Sequence, residues 1–475
     1  MSCASSCHSI THLSPVGRLP CMPHHDRPSL QPGVHIDIPT IYFLIAGVLL
    51  MFMVFLESVL ERLPFNAAML YLPIGWLLGP SGVNLIHIDL RGHAAILTVI
   101  TRVALLLSLF TVGLKLRVSF RGEDRKLWWL PLRLGVVSML ITVPLLAICI
   151  SFLFAIPFAV AILLSAILAP TDPVLASDVQ VKNVDDPDQL RFGLSGEGGL
   201  NDGSAYPFVI LGLILIGVTD DVAQVAHFGW FVVWGVVAGI GCGALAGWAM
   251  SRLVLFARQH FGLALGMEEF MAIGIIMLSY GVAELIHGIG FLSVFAAGLA
   301  MRQVESASSG NKPAGELIAA AKDSGDTAAA VHPEQAPVYL TETVLGFNQQ
   351  LEHFAEFFMV LLLGILLSEF GFSSEGVLIA GLLFFVVRPI AVGLGLLGSD
   401  TETSHRWLIA WFGIRGVGSL YYLCFVLQFW HDKMNVRITQ DVLTVLALSI
   451  VLHGISSTPL MHLYWLKRMK SGKLE

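Results

Sequence analysis

Thirteen stretches of mostly apolar residues follow one another along the chain, each near the roughly 20 residues that an α-helix needs to cross a bilayer. They lie near 39–57, 65–85, 94–114, 128–153, 156–178, 193–218, 228–251, 268–284, 287–301, 350–369, 375–397, 405–428 and 441–465. The division of 268–301 is the least marked, because Glu284 to Gly290 reads either as a tight turn or as a break in one long helix. Such a chain is an all-α polytopic membrane protein with about thirteen transmembrane helices. Composition agrees: 56% of the residues are hydrophobic and 13% charged, with a mean hydropathy of +0.78. That is too little polar surface to cover a soluble body of 475 residues. A net charge of -7 excludes nucleic-acid binding through a basic field.

An odd number of spans puts the termini on opposite sides. Lys467, Arg468, Lys470 and Lys473 predict a cytoplasmic C-terminus. The loops on that side and the tail hold eighteen basic residues against five on the other, so the N-terminus is expected outside. Residues 1–37 read as a disordered extension without the apolar core of a signal peptide. Cys3, Cys7 and Cys21 lie there among histidines, but their spacing fits no zinc pattern. Cys149, Cys242 and Cys424 sit in apolar stretches as small packing residues. Residues 38–301 form the first part of the membrane domain and 349–466 the second. The segment 302–348, rich in Ala, Ser, Gly, Glu and Lys, reads as a flexible cytoplasmic linker, and 467–475 as a short basic tail. No soluble domain is expected.

The informative residues are the polar ones inside apolar spans. In the fifth span, Thr171-Asp172-Pro173 follows Ala169-Pro170. Pro173 removes an amide donor and clashes with the carbonyl four residues back, so the helix must break and the break must face a cavity or protein. Broken helices of this kind build transporter ion sites; a simple proline kink is the plainer alternative. The sixth span carries Glu197, Asn201 and Asp202 among several glycines. An acid at mid-membrane costs at least ~2.5–3.5 kcal/mol, so two in one span need a reason. At roughly 100° per residue, Glu197 and Asn201 lie about 40° apart and Glu197 and Asp202 about 140° apart. The two acids therefore address different neighbours. Arg388, in the eleventh span, cannot deprotonate and needs an anion. Glu197 is its best partner, which leaves Asp202 free to titrate. The twelfth span is interrupted around Gly413, Arg415 and Gly416. Paired interruptions in the two halves of a chain point to inverted repeats whose two discontinuous helices cross at mid-membrane.

Thr171-Asp172-Pro173-Val174, Glu197 with Asn201-Asp202, Arg388-Pro389 and Gly413-Ile414-Arg415-Gly416 together resemble the sodium/proton exchanger family, of the bacterial NhaP and animal NHE types. Weaker echoes run from Ser279-Tyr280-Gly281 to Gly298-Leu299-Ala300 and at His453-Gly454. The resemblance covers roughly residues 39–465. It implies an NhaA/NapA-like antiporter fold in a bacterial inner (plasma) membrane: a homodimer whose six-helix core moves against a dimerisation domain. It implies no cofactor and no metal beyond the transported ion. Asp202 would bind one monovalent cation or one proton, Thr171 would add an oxygen, and Asp172 would steady the unwound segment. Asn201, in place of a second acid, is the pattern of the electroneutral branch, and Glu197 with Arg388 would be the core ion pair.

Two positions depart from the family pattern. Thr111 stands where relatives often carry a glutamate, and Gly198 where many carry a serine. Both can supply cation oxygens in relatives, so the expected cargo is Na+ or Li+ with K+ left open. Rival readings are a passive cation channel and an intramembrane aspartyl protease using Asp172 and Asp202. The sequence lacks a carbonyl-filter motif for the first. For the second, Asn201, the buried Arg388 and the absence of Gly-x-Gly-Asp fit poorly. His287 and His453 are candidates to tune a pH response, with packed or interfacial histidines the blander reading.

Overall fold

The computed structural model describes residues 38–60, 66–90, 92–117, 122–172, 175, 179–181, 186, 188–218, 227–261, 266–308, 332 and 335–470. The described residues are helical, with short turns and extended links and no strand. They fall into two units, 1–54 and 55–475. Helix α1 (Ile38–Leu60) begins in the first. The second holds α2 (Ala68–Leu78), α3 (Ala94–Lys115), α4 (Arg125–Phe154), α5 (Phe158–Leu168), α6 (Gln189–Ile216), α7 (Phe228–Phe261) and α8 (Glu268–Leu285). It continues with α9 (Gly290–Ser308), α10 (Ala336–Phe370), α11 (Ser374–Gly395), α12 (Thr403–Trp411), α13 (Val417–Phe429) and α14 (Met434–Lys470). Seven of these helices, α3, α4, α6, α7, α10, α11 and α14, are long and apolar enough to cross a membrane by length and composition.

In lipid, helices gain little from apolar burial against one another, so close backbone approach carries much of the packing. Gly239, Gly243 and Gly247 recur every fourth residue along α7 and lie against Ile289, Ser293 and Ala297 at and along α9. A methyl group at Gly247 would stand 2.9 Å from the Ala297 Cα and carbonyl carbon and closer still to the carbonyl oxygen. Helix α9 turns its other face to α3, where Gly113 meets Gly298. Helix α10 packs on α2 and α3, and α5 lies between α4 and α6.

Two helices carry one π-helical turn each: α4 at Arg133–Val137 and α11 at Leu383–Val387. Two others are interrupted. Helix α5 stops at Leu168 and the chain runs non-helically through Asp172. Helix α12 stops at Trp411, and residues 412–416 are non-helical before α13 starts at Val417. Pro173 and Val174 lie outside the described residues, as does 1–37.

The linker assignment needs correction at both ends. Residues 302–308 continue α9, and 336–348 form the start of α10; residues 309–331 and 333–334 lie outside the described residues. Polar composition misled because the charges are paired. Arg302 Nη1 binds Glu305 Oε2 at 3.2 Å and Glu342 Oε1 at 2.9 Å, while Arg117 binds Glu305 at 3.0 Å. The apolar residues of the same stretch, including Val338, Leu340 and Val344, are buried. The stretch 268–301 resolves into two helices joined by a tight turn at Ile286–Ile289.

Candidate functional site

The site forms where the two interruptions meet. The Asp172 amide donates to the Ile414 carbonyl at 2.7 Å, a single backbone bond between the two non-helical segments. Each break leaves a helix end with unsatisfied backbone groups and a partial charge. Two fixed charges answer them crosswise. Arg415, in the second break, donates through Nη1 to the Ala169 carbonyl at the end of α5. Asp172, in the first break, accepts the Val417 amide at the start of α13 at 2.6 Å. Gly416 leaves room for this, since a methyl there would stand 2.9 Å from the Asp172 carboxyl carbon. The Arg415 amide is held by Ser449 Oγ of α14 at 2.8 Å.

Helix α6 supplies the polar side chains. Asp188 caps it by accepting the amides of Leu190 and Arg191 at 2.8 and 3.2 Å. Asp188 also accepts from the Tyr464 hydroxyl and from Arg468 of α14, which ties the start of α6 to the end of α14. The helix then runs unbroken through its glycines and Pro207. Glu197 and Arg388 are both buried and paired in a fork: Nη2 to Oε2 is 2.9 Å, and Nη1 meets Oε1. Arg388 Nη2 also donates to the carbonyls of Ile409 and Phe412, at 3.2 and 3.3 Å, where α12 ends. Gly413 lies against the same guanidinium.

Asn201 Nδ2 donates to the Thr171 carbonyl at 2.9 Å and to its hydroxyl at 2.6 Å. Thr171 Oγ1 lies 3.5 Å from Glu197 Oε1. Thr171, Asn201, Glu197 and Arg388 thus form one chain of contacts; Asp172, Arg415 and Gly416 form another. Asp202 belongs to neither. It is 2% exposed and faces Gly418, the second residue of α13. Its Oδ1, like Asn201 Oδ1, is buried with no hydrogen-bond partner among the described residues. An ionisable group so buried is costly unless something answers its charge.

Several contacts escaped the sequence reading. Tyr422 donates its hydroxyl to the Asp202 carbonyl at 2.5 Å; a buried tyrosine five residues into α13 needs an acceptor, and that was the available signal. His453 sits with Nδ1 2.9 Å from the Ser449 carbonyl and Nε2 3.1 Å from the Trp411 carbonyl, beside the second break. His287 is exposed in the turn after α8. Thr111 is buried and spends its hydroxyl on the Leu107 carbonyl of its own helix, at 2.9 Å.

Residues 47–463 match the family described as sodium/hydrogen exchanger, transmembrane. The chain belongs to this family. It is a family of transporters rather than of enzymes, which removes the protease reading. Among curated relatives, the chain is 24% identical over 387 residues to the K(+)/H(+) antiporter NhaP2 of Shewanella sp. (strain MR-4), covering 79% of this chain and 58% of that protein. It is 23% identical over 440 residues to the K(+)/H(+) antiporter NhaP of Alkalimonas amylolytica, covering 89% and 66%. The chain therefore spans less than two thirds of the length of these relatives. The Na(+)/H(+) antiporter 2 of Zygosaccharomyces rouxii is 28% identical over 227 residues, 46% of this chain and 27% of that one. Among solved structures, the sodium proton antiporter MjNhaP1 of Methanocaldococcus jannaschii at pH 8 aligns with a TM-score of 0.64 at 17% identity, covering 89% of this chain and 98% of that one. The chain therefore shares the fold of that antiporter.

Proposed function

We propose that the protein exchanges one monovalent cation for one proton across the membrane by alternating access, with Asp202 as the site the two ions share. The observation that carries this reading is the contrast between the two acids of α6. Glu197 is neutralised by Arg388, whereas Asp202 is equally buried and keeps an oxygen without a partner. A shared site demands that cation and proton compete and that the empty carboxylate rarely crosses. Thr171 and the Asn201 amide oxygen, the latter without a partner among the described residues, are the further hard oxygens, Asp172 holds the crossing, and Asn201 adds no second charge. The exchange is accordingly electroneutral. Thirteen spans, an outside N-terminus, a cytoplasmic C-terminus, inverted repeats and a homodimer in a bacterial inner membrane complete the reading. The paired π turns of α4 and α11, each followed by an interrupted helix, support the repeat.

Potassium stands beside sodium and lithium as cargo. Two of the relatives are named K(+)/H(+) antiporters, and the Thr111 hydroxyl is already engaged within α3. The test uses inverted vesicles with an acid interior and a pH dye. Na+, Li+ and K+ are added in turn to wild type and to Asp202→Asn. Dequenching by at least one cation, lost in the variant, is the expected outcome. Dequenching that persists in Asp202→Asn refutes the shared site, and flux indifferent to the proton gradient indicates a channel.

A further inference from the structure

A second buried carboxylate stands outside the crossing. Glu352 of α10 is 4% exposed, in a polar stretch, Asn348–Glu356, just ahead of the long apolar run of that span. Its Oε2 is 3.6 Å from Lys115 Nζ, at the end of α3. Its Oε1 is buried with no hydrogen-bond partner among the described residues. One helical turn earlier, Asn348 is fully buried; its Nδ2 donates to the Val344 carbonyl at 2.9 Å, and its Oδ1 is likewise without a partner. Residues four apart lie on one face of a helix, so the two side chains share a face of α10. Ser108 of α3 and the Asp172 carboxylate both act on Glu352. The ammonium opposite is shared: Lys115 Nζ also reaches Gln180 Oε1 at 3.4 Å, just beyond the first break.

Two buried acceptor oxygens on one helix face without a hydrogen bond among the described residues are expensive as structure alone; Lys115 and Ser108 offset only part of the Glu352 penalty and none of the Asn348 one. The same oxygens, one anionic and one neutral, are the hard ligands an alkali cation takes. We propose that Glu352 and Asn348 form a second monovalent-cation site, a waypoint between the α3 C-terminal end of the protein and Asp202, with Lys115 as its resident ammonium. An arriving cation displaces Lys115 from Glu352, and Lys115 keeps its hold on Gln180. A lysine serves here because it is a compact point charge on a flexible stem, which a guanidinium is not. The site rests on the exchange reading for its cargo, but its occupancy can be read without transport.

The test is cation-dependent thermal stability of purified full-length protein, titrated with Na+ and K+ at ionic strength held constant with choline. Asp202→Asn is expected to retain a saturable, cation-specific rise in unfolding temperature, and adding Glu352→Gln to that variant is expected to remove it. Loss of all cation dependence in Asp202→Asn alone overturns the site. If wild type exchanges no cation but the Glu352-dependent rise persists, the exchange reading fails and the second site stands. In vesicles with the Asp202 site intact, Glu352→Gln is expected to raise the apparent KM roughly three- to tenfold with maximal rate within about twofold. Lys115→Met is expected to lower the KM. The double variant, which leaves no lone charge behind, separates a cation site from a structural pair. A cation site predicts the high KM of Glu352→Gln; a wild-type KM in the double variant overturns the proposal.

Discussion

Replacing either member of the Glu197–Arg388 pair tests the division of labour in α6. Both partners are buried, and truncating one side of a buried pair leaves the other charge uncompensated, at about 3–5 kcal/mol. The two sides are not equivalent. Glu197→Gln keeps the volume and one acceptor, so the guanidinium retains its bonds to the Ile409 and Phe412 carbonyls. Arg388→Met loses the pair and also both carbonyl bonds, each worth about 1.5–3 kcal/mol when the donor is charged. The order of damage is therefore Arg388→Met, then Glu197→Gln, with Asp202→Asn mildest, because the last removes a charge that nothing pairs among the described residues. The double variant Glu197→Gln/Arg388→Met removes the stranded charge and is expected to recover part of the loss, with a coupling of about 2–3 kcal/mol. The assay is monodispersity and unfolding temperature of purified protein, read beside exchange in vesicles. Asp202→Asn should fold normally and fail to exchange, while the pair variants should fail to fold well. If Arg388→Met is milder than Glu197→Gln, or Asp202→Asn is the least stable of the three, the reasoning is wrong.

Gly243→Val should abolish yield, because the added side chain would enter the backbone of α9 at Ser293; Gly281→Val, with nothing within 4 Å of its Cβ, is the tolerated control, and both are read as folded protein recovered. Asp172→Ala removes the cap of α13 and should lower stability by about 1 kcal/mol, measured as unfolding temperature, while slowing exchange far more than that loss explains.

How much of this was readable from the residues follows their physics. Apolar length marked the helices, because lipid demands it wherever the chain crosses. The interruption at Thr171 announced itself through two prolines, and the one at Arg415 through glycines around a charge. A guanidinium in an apolar span calls for an anion, and that demand pointed from Arg388 to Glu197; the two side chains meet. The start of α10 was hidden because its Glu342 is paired with Arg302 of α9, and composition does not register pairing. The crosswise capping was hidden too: no local pattern links Asp172 to the amide of Val417. The bonds from Asn201 to Thr171 and from Tyr422 to Asp202 needed the helices placed side by side. The π turns carry no sequence mark at all.

The crosswise capping has a consequence for biosynthesis. The contacts Ala169–Arg415 and Asp172–Val417 join residues 246 and 245 apart, and Glu197–Arg388 joins residues 191 apart. At about 5–20 residues per second, the ribosome needs roughly 10–50 s to bring the later partner after the earlier one. For that interval the nascent first half holds Glu197 without Arg388 and Asp172 without the α13 helix end that it caps. A truncated product lacking residues after about 387 leaves two buried acids, Glu197 and Asp172, without the partners that answer them in the finished chain.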